Sequence, residues 1–292
     1  MGLRFEQVSY TYPLTQEPTL QHLTLAIPQG KNTAIIGRNG CGKTTLLRLA
    51  QALYRPQTGQ IFWQDSPFHY HPKALRNLRQ TIGLVFQDPE QQLVGGTVTE
   101  DLSYGLYNLG LSQSLIVQRV EAILQDFHLT DLAQTPVHYL SLGQKKRLAI
   151  ADVMILEPQL LLLDEPTAFL DPQQIRNLAQ LLLKIQARGT TVVMATHDLE
   201  FVYRWADQIL ILDRGQLRAE GTPLELFNPE QKSDLTQWGL GLPTAVEILD
   251  LPLLGLEREN PLGFGDSREF YPQTLWRQLR YQLPKNSPKN SV

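Results

Sequence analysis

Two short segments of this sequence carry residue types suited to phosphate chemistry. Gly37-Arg38-Asn39-Gly40-Cys41-Gly42-Lys43-Thr44 fits the phosphate-loop pattern of a glycine, four variable residues and then Gly-Lys-Thr. Glycines there let backbone amides converge on phosphate oxygens. A helix N-terminus adds unpaired N–H groups, and Lys43 reaches toward the β and γ phosphates. The Thr44 hydroxyl is suited to ligating Mg²⁺. The second segment is the apolar run 160–163 followed by Asp164 and Glu165. A strand ending in two acids puts Asp164 on the metal side of a bound nucleotide and leaves Glu165 to orient or deprotonate an attacking water. Alone, the acid pair is equally the start of a loop; downstream of a phosphate loop it points to nucleotide hydrolysis.

Such residues need rigid elements behind them, and the flanking patterns supply these. Thr33–Ile36 is a short apolar run before the loop, and residues 43–53 after it carry leucines and alanines at helical spacing, so strand, loop and helix are expected in that order. Upstream, Leu3–Tyr10 and Leu20–Ile27 alternate as antiparallel strands, with Pro28-Gln29-Gly30 as turn chemistry. Residues 60–63 read as a strand, the polar stretch with His69 and His71 as a loop, and 81–86 as a further buried strand. Two histidines without nearby carboxylates or thiols make a poor metal site, and a solvated loop is the plainer reading. Residues 98–129 are helical in pattern with a break at Leu109-Gly110-Leu111, and 173–187 are helical again. Thr191–Ala195 is a buried strand, and 208–212 with 216–220 form a hairpin around Asp213-Arg214-Gly215. Strands alternating with helices predict an α/β core with a mainly parallel sheet. From about residue 231, prolines, glycines and isolated apolar residues replace this pattern. The reading therefore divides the chain into a nucleotide-binding domain, 1–230, and a small C-terminal extension, 231–292, with an expected disordered polar tail.

A phosphate loop and an acidic strand end occur in kinases and GTPases too, so the deciding segment is Leu140-Ser141-Leu142-Gly143-Gln144, continuing as KKRLAIA. On these motifs the chain resembles the ABC ATPase family, whose signature is usually LSGGQ. Leu142 stands where the first glycine is common, and a positive φ there would strain a leucine. The resemblance covers residues 1 to about 230. It implies an ABC nucleotide-binding domain with a parallel-sheet core, an antiparallel β subdomain, an α-helical subdomain bearing the signature, and a small C-terminal extension.

It also implies ATP and Mg²⁺ as ligands, with nucleotide contacts from Gly37 through Thr44 and from Thr45. By the same resemblance, Tyr12 in SYTYP stacks on adenine. Gln87 in VFQDPEQQL meets Mg²⁺ or water beside the contact with a membrane partner, and Asp171 in AFLDP lies on the loop that crosses a dimer interface. His197 touches the γ phosphate and links it to the catalytic Glu165. Ser141, Gly143 and the helix N-terminus at Gln144 contact the γ phosphate of a nucleotide held by the opposite subunit. A cap for a helix through residues 145–147 is the structural counterpart for Ser141.

A second ABC ATPase subunit, identical or paralogous, is thus an implied partner. FQDPEQQL, TVTEDLSYGLYNLGL and LSLGQKKRLAIAD look like the energy-coupling-factor group of importers. Cassettes of that group energise uptake of cobalt, nickel or B-type vitamins through a transmembrane coupling protein and a substrate-binding membrane protein. Trp238-Gly239-Leu240 and Pro243 are similar to extensions that hold the two cassettes of that group together. The resemblance places the chain at the cytoplasmic face of a membrane, held there by those subunits.

Composition is consistent with this. Lys and Arg total 26 against 29 Asp and Glu, a formal net charge of −3, so no global basic field argues for nucleic acid as a partner. No apolar run approaches the roughly 20 residues of a membrane helix. Cys41 is the single cysteine, which excludes an internal disulfide, and the N-terminal MGLRFEQVSYTYP alternates like a strand rather than a secretory leader, so a cytoplasmic location is expected. Cys41 sits at a variable loop position, where packing is its plain role. Two rival classes remain: a DNA- or ribosome-associated ABC ATPase would usually carry two cassettes or a long heptad arm, and a phosphate-loop kinase would leave LSLGQ and His197 unexplained.

Overall fold

In the computed structural model, which describes residues 2–244, 246 and 247, the chain opens with strands β1 (Leu3–Tyr10) and β2 (Leu20–Ile27). Their apolar residues alternate onto one buried face. In β1 the period breaks between Phe5 and Val8, where Gln7 takes φ 50° and the register shifts against β2, a bulge that returns both apolar side chains to the core. A turn through Gly30 leads to β3 (Thr33–Ile36), the phosphate loop and α1 (Lys43–Ala50). β4 (Thr58–Trp63) and β5 (Ser66–Pro67) complete an antiparallel sheet ordered β2-β1-β4-β5.

The chain continues through α2 (Pro72–Thr81), β6 (Ile82–Val85), α3 (Val98–Asn108), α4 (Gln113–Asp126) and α5 (Leu142–Met154). Next come β7 (Leu160–Asp164), α6 (Pro172–Ala187), β8 (Thr191–Ala195), α7 (Leu199–Trp205), β9 (Gln208–Asp213) and β10 (Gln216–Gly221). Short helices α8 (Pro223–Leu226) and α9 (Lys232–Gln237) follow.

The second sheet has the order β10-β9-β3-β8-β7-β6, parallel except for β10 at one edge. Strands β3, β6, β7 and β8 are buried along their whole length, as both-face coverage of a parallel sheet requires. Alternation splits their side chains between two cores. Ile35, Leu162 and Val193 pack with Leu46 of α1 and with Phe5 and Leu23 of the antiparallel sheet. Ala34, Leu161 and Val192 face the helices, where Leu102, Leu148, Leu182 and Val202 meet them. The expected α/β class with its antiparallel and helical subdomains is therefore the observed one. Leu235, Leu240, Leu242 and Val246 join the helix-side core, and residues 248–292, including the expected polar tail, lie outside the described residues. Among the described residues no helix is long and apolar enough to cross a membrane.

One element departs from expectation: residues 72–80, expected as loop, and Thr81, expected as the start of the next strand, form helix α2. Pro72 at its start has no N–H to lose, and the His71 ring accepts a hydrogen bond from the Ala74 amide at 3.3 Å. Its apolar residues Ala74, Leu75 and Leu78 lie at helical spacing on one half-buried side of an otherwise polar segment, and no residue of α2 is fully buried.

The helical lobe contains a carboxyl pair. Asp101, 1% exposed, accepts hydrogen bonds from the Val94 and Gly95 amides at 2.7 and 2.6 Å, while its Oδ2 has no partner and burial raises its pKa. Asp152 on α5 is pushed up to about 7, by burial first and then by the Asp101 charge, with a Gln92 hydrogen bond opposing. The folded chain thus binds a proton that the unfolded chain releases near pH 4. Stability is expected to fall as pH rises from there to about 7, with a slope of at most about 1.4 kcal/mol per pH unit, and to level off above. Urea unfolding of Asp152→Asn across this window should show that part of the slope removed; an unchanged slope would contradict the assignment.

Candidate nucleotide-binding and hydrolysis site

Three neighbouring parallel strands deliver the candidate residues to one edge of the sheet. β3 runs into the phosphate loop, β7 ends at Asp164 and Glu165, and β8 between them continues into Thr196 and His197. Ligands of open α/β sheets lie outside the carboxyl ends of the strands. A cavity of about 880 Å³ opens there, lined by Tyr12, Asn39, Gly40, Gly42, Lys43, Thr44, Thr45, Gln87, Glu165 and His197 among others.

The loop geometry explains its glycines. Gly37 has φ 152°, and a Cβ there would stand 2.1 Å from the Leu212 carbonyl oxygen and 2.7 Å from Cys41 Sγ. Gly42, at φ 109°, is the N-cap of α1, so the first amides of that helix face the cavity without a side-chain cap. Lys43 is 7% exposed, and its ammonium donates to the carbonyls of Gly37 at 2.7 Å and Arg38 at 3.2 Å. The Cys41 side chain is buried beneath the loop and burial pushes its thiol pKa up, which fits packing and opposes thiolate chemistry. Arg38, outside this cavity, lies against Gly239 of the C-terminal segment.

Asp164 is buried, and its pKa is raised by burial, with a Thr44 hydrogen bond opposing and the Glu165 charge adding. Its Oδ1 has no hydrogen-bond partner. An orphaned carboxylate oxygen next to a hydroxyl is a donor set that fits Mg²⁺, with nucleotide phosphates completing the shell. Among the described residues no cluster of three or more His, Cys, Asp or Glu offers an all-protein site.

Glu165 takes φ 46°, a left-handed conformation that is costly for a side chain of this size and is held only where its surroundings fix it. Its amide donates to the Ala195 carbonyl at 2.8 Å. Its Oε2 receives Thr196 Oγ1 at 3.2 Å and lies 2.8 Å from His197 Nδ1. The Glu165 side chain is 9% exposed and the His197 side chain 64%. The carboxylate is therefore fixed from behind while the imidazole faces solvent.

Tyr12 lines the cavity within an aromatic group. It meets Tyr10 and Tyr54 edge-on at 5.2 and 5.6 Å, and its hydroxyl pairs with Thr45 Oγ1 at 3.0 Å. Ser141, Gly143, Gln144 and Asp171 are not in this cavity. Ser141 is the N-cap of α5, with a capping box closed by Gln144, and Asp171 caps α6 in the same way with Gln174. Leu142 is the first residue of α5 and is absent from the positive-φ residues, so the missing glycine imposes no backbone strain.

Several residues at the site were not anticipated: Thr19, Ala168 and Phe169 on the cavity wall, Thr196 against the Glu165 carboxylate, and Lys146. Phe169, at φ 62° and 87% exposed, stands at the cavity rim. Lys146 lies buried behind the Glu165 loop. An exposed phenylalanine after DEPTA and the second lysine of KKR carry no distinctive spacing, so the sequence holds no signal for either.

This phosphate loop, acidic strand end and histidine on a doubly covered parallel sheet define a phosphate-loop nucleotide hydrolase. The model for the ABC transporter family matches residues 20–168. A Nostoc sp. protein provisionally described as an ABC transporter ATP-binding protein is 55% identical over 262 residues, which cover 90% of this chain and 95% of the relative. The energy-coupling factor transporter ATP-binding protein EcfA of Methanothermobacter thermautotrophicus is 34% identical, over 87% of this chain and 81% of its own. Among solved structures, CbiO1 of Clostridium perfringens, part of the ABC transporter complex CbiONQ, superposes with a TM-score of 0.73 at 36% identity, covering 85% of this chain and 98% of its own. The cassette MJ0796, a post-hydrolysis dimer bound to ADP and phosphate, gives 0.69 at 28% identity, with 76% and 98% coverage. The chain belongs to the ABC transporter ATP-binding family, and it is an ATPase of that family with energy-coupling-factor relatives.

Gly37→Ala should displace the loop, because the new Cβ meets a backbone oxygen that cannot yield. Affinity for a fluorescent ATP analogue is expected to fall at least about 10-fold, the equivalent of roughly 1.4 kcal/mol. Wild-type affinity would show that the loop geometry is not what binds phosphate.

Proposed function

We propose that this chain is the ATP-hydrolysing subunit of an energy-coupling-factor type importer, coupling hydrolysis to uptake of a transition-metal ion such as cobalt or nickel, or of a vitamin. The observation that carries the catalytic part is the fixed Glu165 carboxylate, 2.8 Å from His197 Nδ1 in the cavity that contains Lys43. The importer subgroup is supported by the EcfA and CbiO1 relatives.

In this reading the phosphates of ATP lie on the loop 37–44, against the amides at the start of α1 and the Lys43 ammonium. Tyr12 and its aromatic neighbours offer a flat face for adenine. Thr44, Asp164 and Gln87 would hold Mg²⁺, which would supply charge neutralisation at the phosphates. Glu165 accepts the proton of the attacking water. His197 meets Glu165 through Nδ1 at 2.8 Å and has Nε2 on the other side of the ring for a γ-phosphate oxygen, tying the base to the group under attack. Asn39, Gly40, Gly42 and Thr45 complete the nucleotide cradle, to which Arg38 and Cys41, whose side chains lie outside the cavity, would contribute backbone only.

Ser141, Gly143, Gln144 and Asp171 serve the nucleotide of a second cassette, identical or paralogous. They lie outside the chain's own cavity, and the MJ0796 cassette is a dimer. The membrane partners are a transmembrane coupling protein and a substrate-binding membrane protein. They hold residues 1–230, with the extension 231–292 assisting pairing of the cassettes, at the cytoplasmic face.

Glu165→Gln is expected to bind ATP normally and to lose turnover by about 100-fold or more, accumulating as a closed pair by size-exclusion chromatography in ATP. Ordinary turnover in this variant would remove Glu165 from the mechanism. Affinity isolation from detergent-solubilised membranes should recover the chain with two integral membrane proteins, and recovery free of any membrane protein would overturn the transporter assignment.

A further inference from the structure

The Lys146 ammonium is buried, 7% exposed as a residue, and donates to three carbonyl oxygens: Ala168 at 2.7 Å, Pro166 at 3.0 Å and Glu165 at 3.2 Å. Burial pushes it down to about 8, with the Glu165 charge opposing, so the carbonyls compensate a real desolvation penalty. All three belong to the turn that follows the Glu165 strand and leads to Phe169, Asp171 and the start of α6. Lys146 itself lies on α5, little more than one turn after the Ser141 cap. One side chain thus clamps the loop bearing the left-handed Glu165 to the helix bearing Ser141.

Helix α5 is also tied in the other direction. The neighbouring Lys145 reaches Glu90 at 2.6 Å, in the segment after Gln87, but that pair is solvent-exposed on its acidic side and contributes little rigidity. The Lys146 contacts are buried and threefold. Lys146 directly follows the first turn of α5, so a rigid displacement of that helix would be passed to the carbonyls of residues 165, 166 and 168, and with them to the backbone that aims the Glu165 side chain.

We propose that Lys146 is a positioning residue that locks the catalytic loop to the signature helix, so that engagement of Ser141 by a second subunit's nucleotide is registered at this subunit's own Glu165. The inference rests on the reading of Glu165 as the base and of Ser141 as a contact made across a cassette pair. It requires no contact between Lys146 and nucleotide.

The test compares Lys146→Met, Lys146→Gln and Glu165→Gln in the full chain, assembled with the subunits that accompany it. ATP turnover, KM for ATP, affinity for a fluorescent ATP analogue and thermal unfolding are measured for each. Loss of alignment at a reacting group is expected to lower kcat of Lys146→Met by about 10- to 100-fold, with KM and analogue affinity within about threefold of wild type, since only the transition state is affected. Lys146→Gln keeps an amide donor but spans fewer carbonyls, and should fall between. If the methionine variant does not fold, the glutamine variant decides: a lower kcat at unchanged KM supports the proposal. Wild-type kcat in either folded variant, or a fall in kcat matched by lost nucleotide affinity, overturns it. Normal turnover in Glu165→Gln would instead refute the catalytic reading, whatever the Lys146 variants do.

Discussion

Lys43 is almost fully buried, and its ammonium is held at 2.7 Å by the carbonyl of Gly37 and at 3.2 Å by that of Arg38, a contact that constrains what can surround it. A loop whose own carbonyls curl back onto the following helix must turn through left-handed backbone, and Gly40 and Gly42 at φ 80° and 109° do so without a Cβ penalty. The strand before it must end against another backbone, and Gly37 does, close to the Leu212 carbonyl of β9. That approach fixes β3 beside β9 in the sheet, and the all-apolar interiors of β3, β7 and β8 keep it there. With carbonyls on one side and helix amides on the other, the ammonium and the α1 N-terminus both present positive charge to the cavity, the arrangement a polyphosphate requires.

Sheet register then does the aligning. Pairing of β7 with β8 sets Asp164 opposite Ala195, so the residues immediately beyond, Glu165 on one strand and Thr196 and His197 on the other, emerge side by side. A shift of one residue would turn every side chain of β7 to the opposite face and break the contact between Glu165 and His197. The leucines at 160–163 fill both cores alike, so what opposes the shift is the polar residue at each end, Gln159 or Asp164, one of which a slip would carry into a leucine's place in an apolar core. The left-handed Glu165 is tolerated because Ala195, Thr196 and Lys146 hold it on several sides.

Most of this was legible in the sequence because it is written in local signals: the glycine spacing of residues 37–44, apolar runs that end in acids or histidine, and alternation in Leu3–Tyr10. The unread parts are those whose signal is tertiary. Helix α2 is polar overall and fully buries no residue, and its start is marked by a histidine cap rather than the usual serine or aspartate. Lys146 reads as one more surface charge in KKR until α5 is placed over the loop after Glu165. The Tyr12 hydroxyl bond to Thr45 joins residues 33 positions apart, which no pattern within either segment reveals. Leu142 is the converse: a departure from a motif that suggested backbone strain, and that the structure accommodates as the first turn of an ordinary helix.

The two helix N-termini suited to phosphate differ in how they are finished. The first turn of α1 has no side-chain cap, and its amides open into the cavity beside Lys43. The first turn of α5 is capped by Ser141 and Gln144, and its residues do not line that cavity. In the capping box the Gln144 amide gives its hydrogen to Ser141 Oγ at 3.3 Å, which leaves the serine's own hydroxyl hydrogen and the amides of Leu142 and Gly143 unspent. A side-chain cap satisfies a helix end in the absence of an anion yet leaves donors for one that arrives from outside, whereas an uncapped end leaves its amides to water or to an anion. The first turn of α1 thus opens onto the chain's own cavity and that of α5 does not, while Lys146 joins α5 to the loop after Glu165.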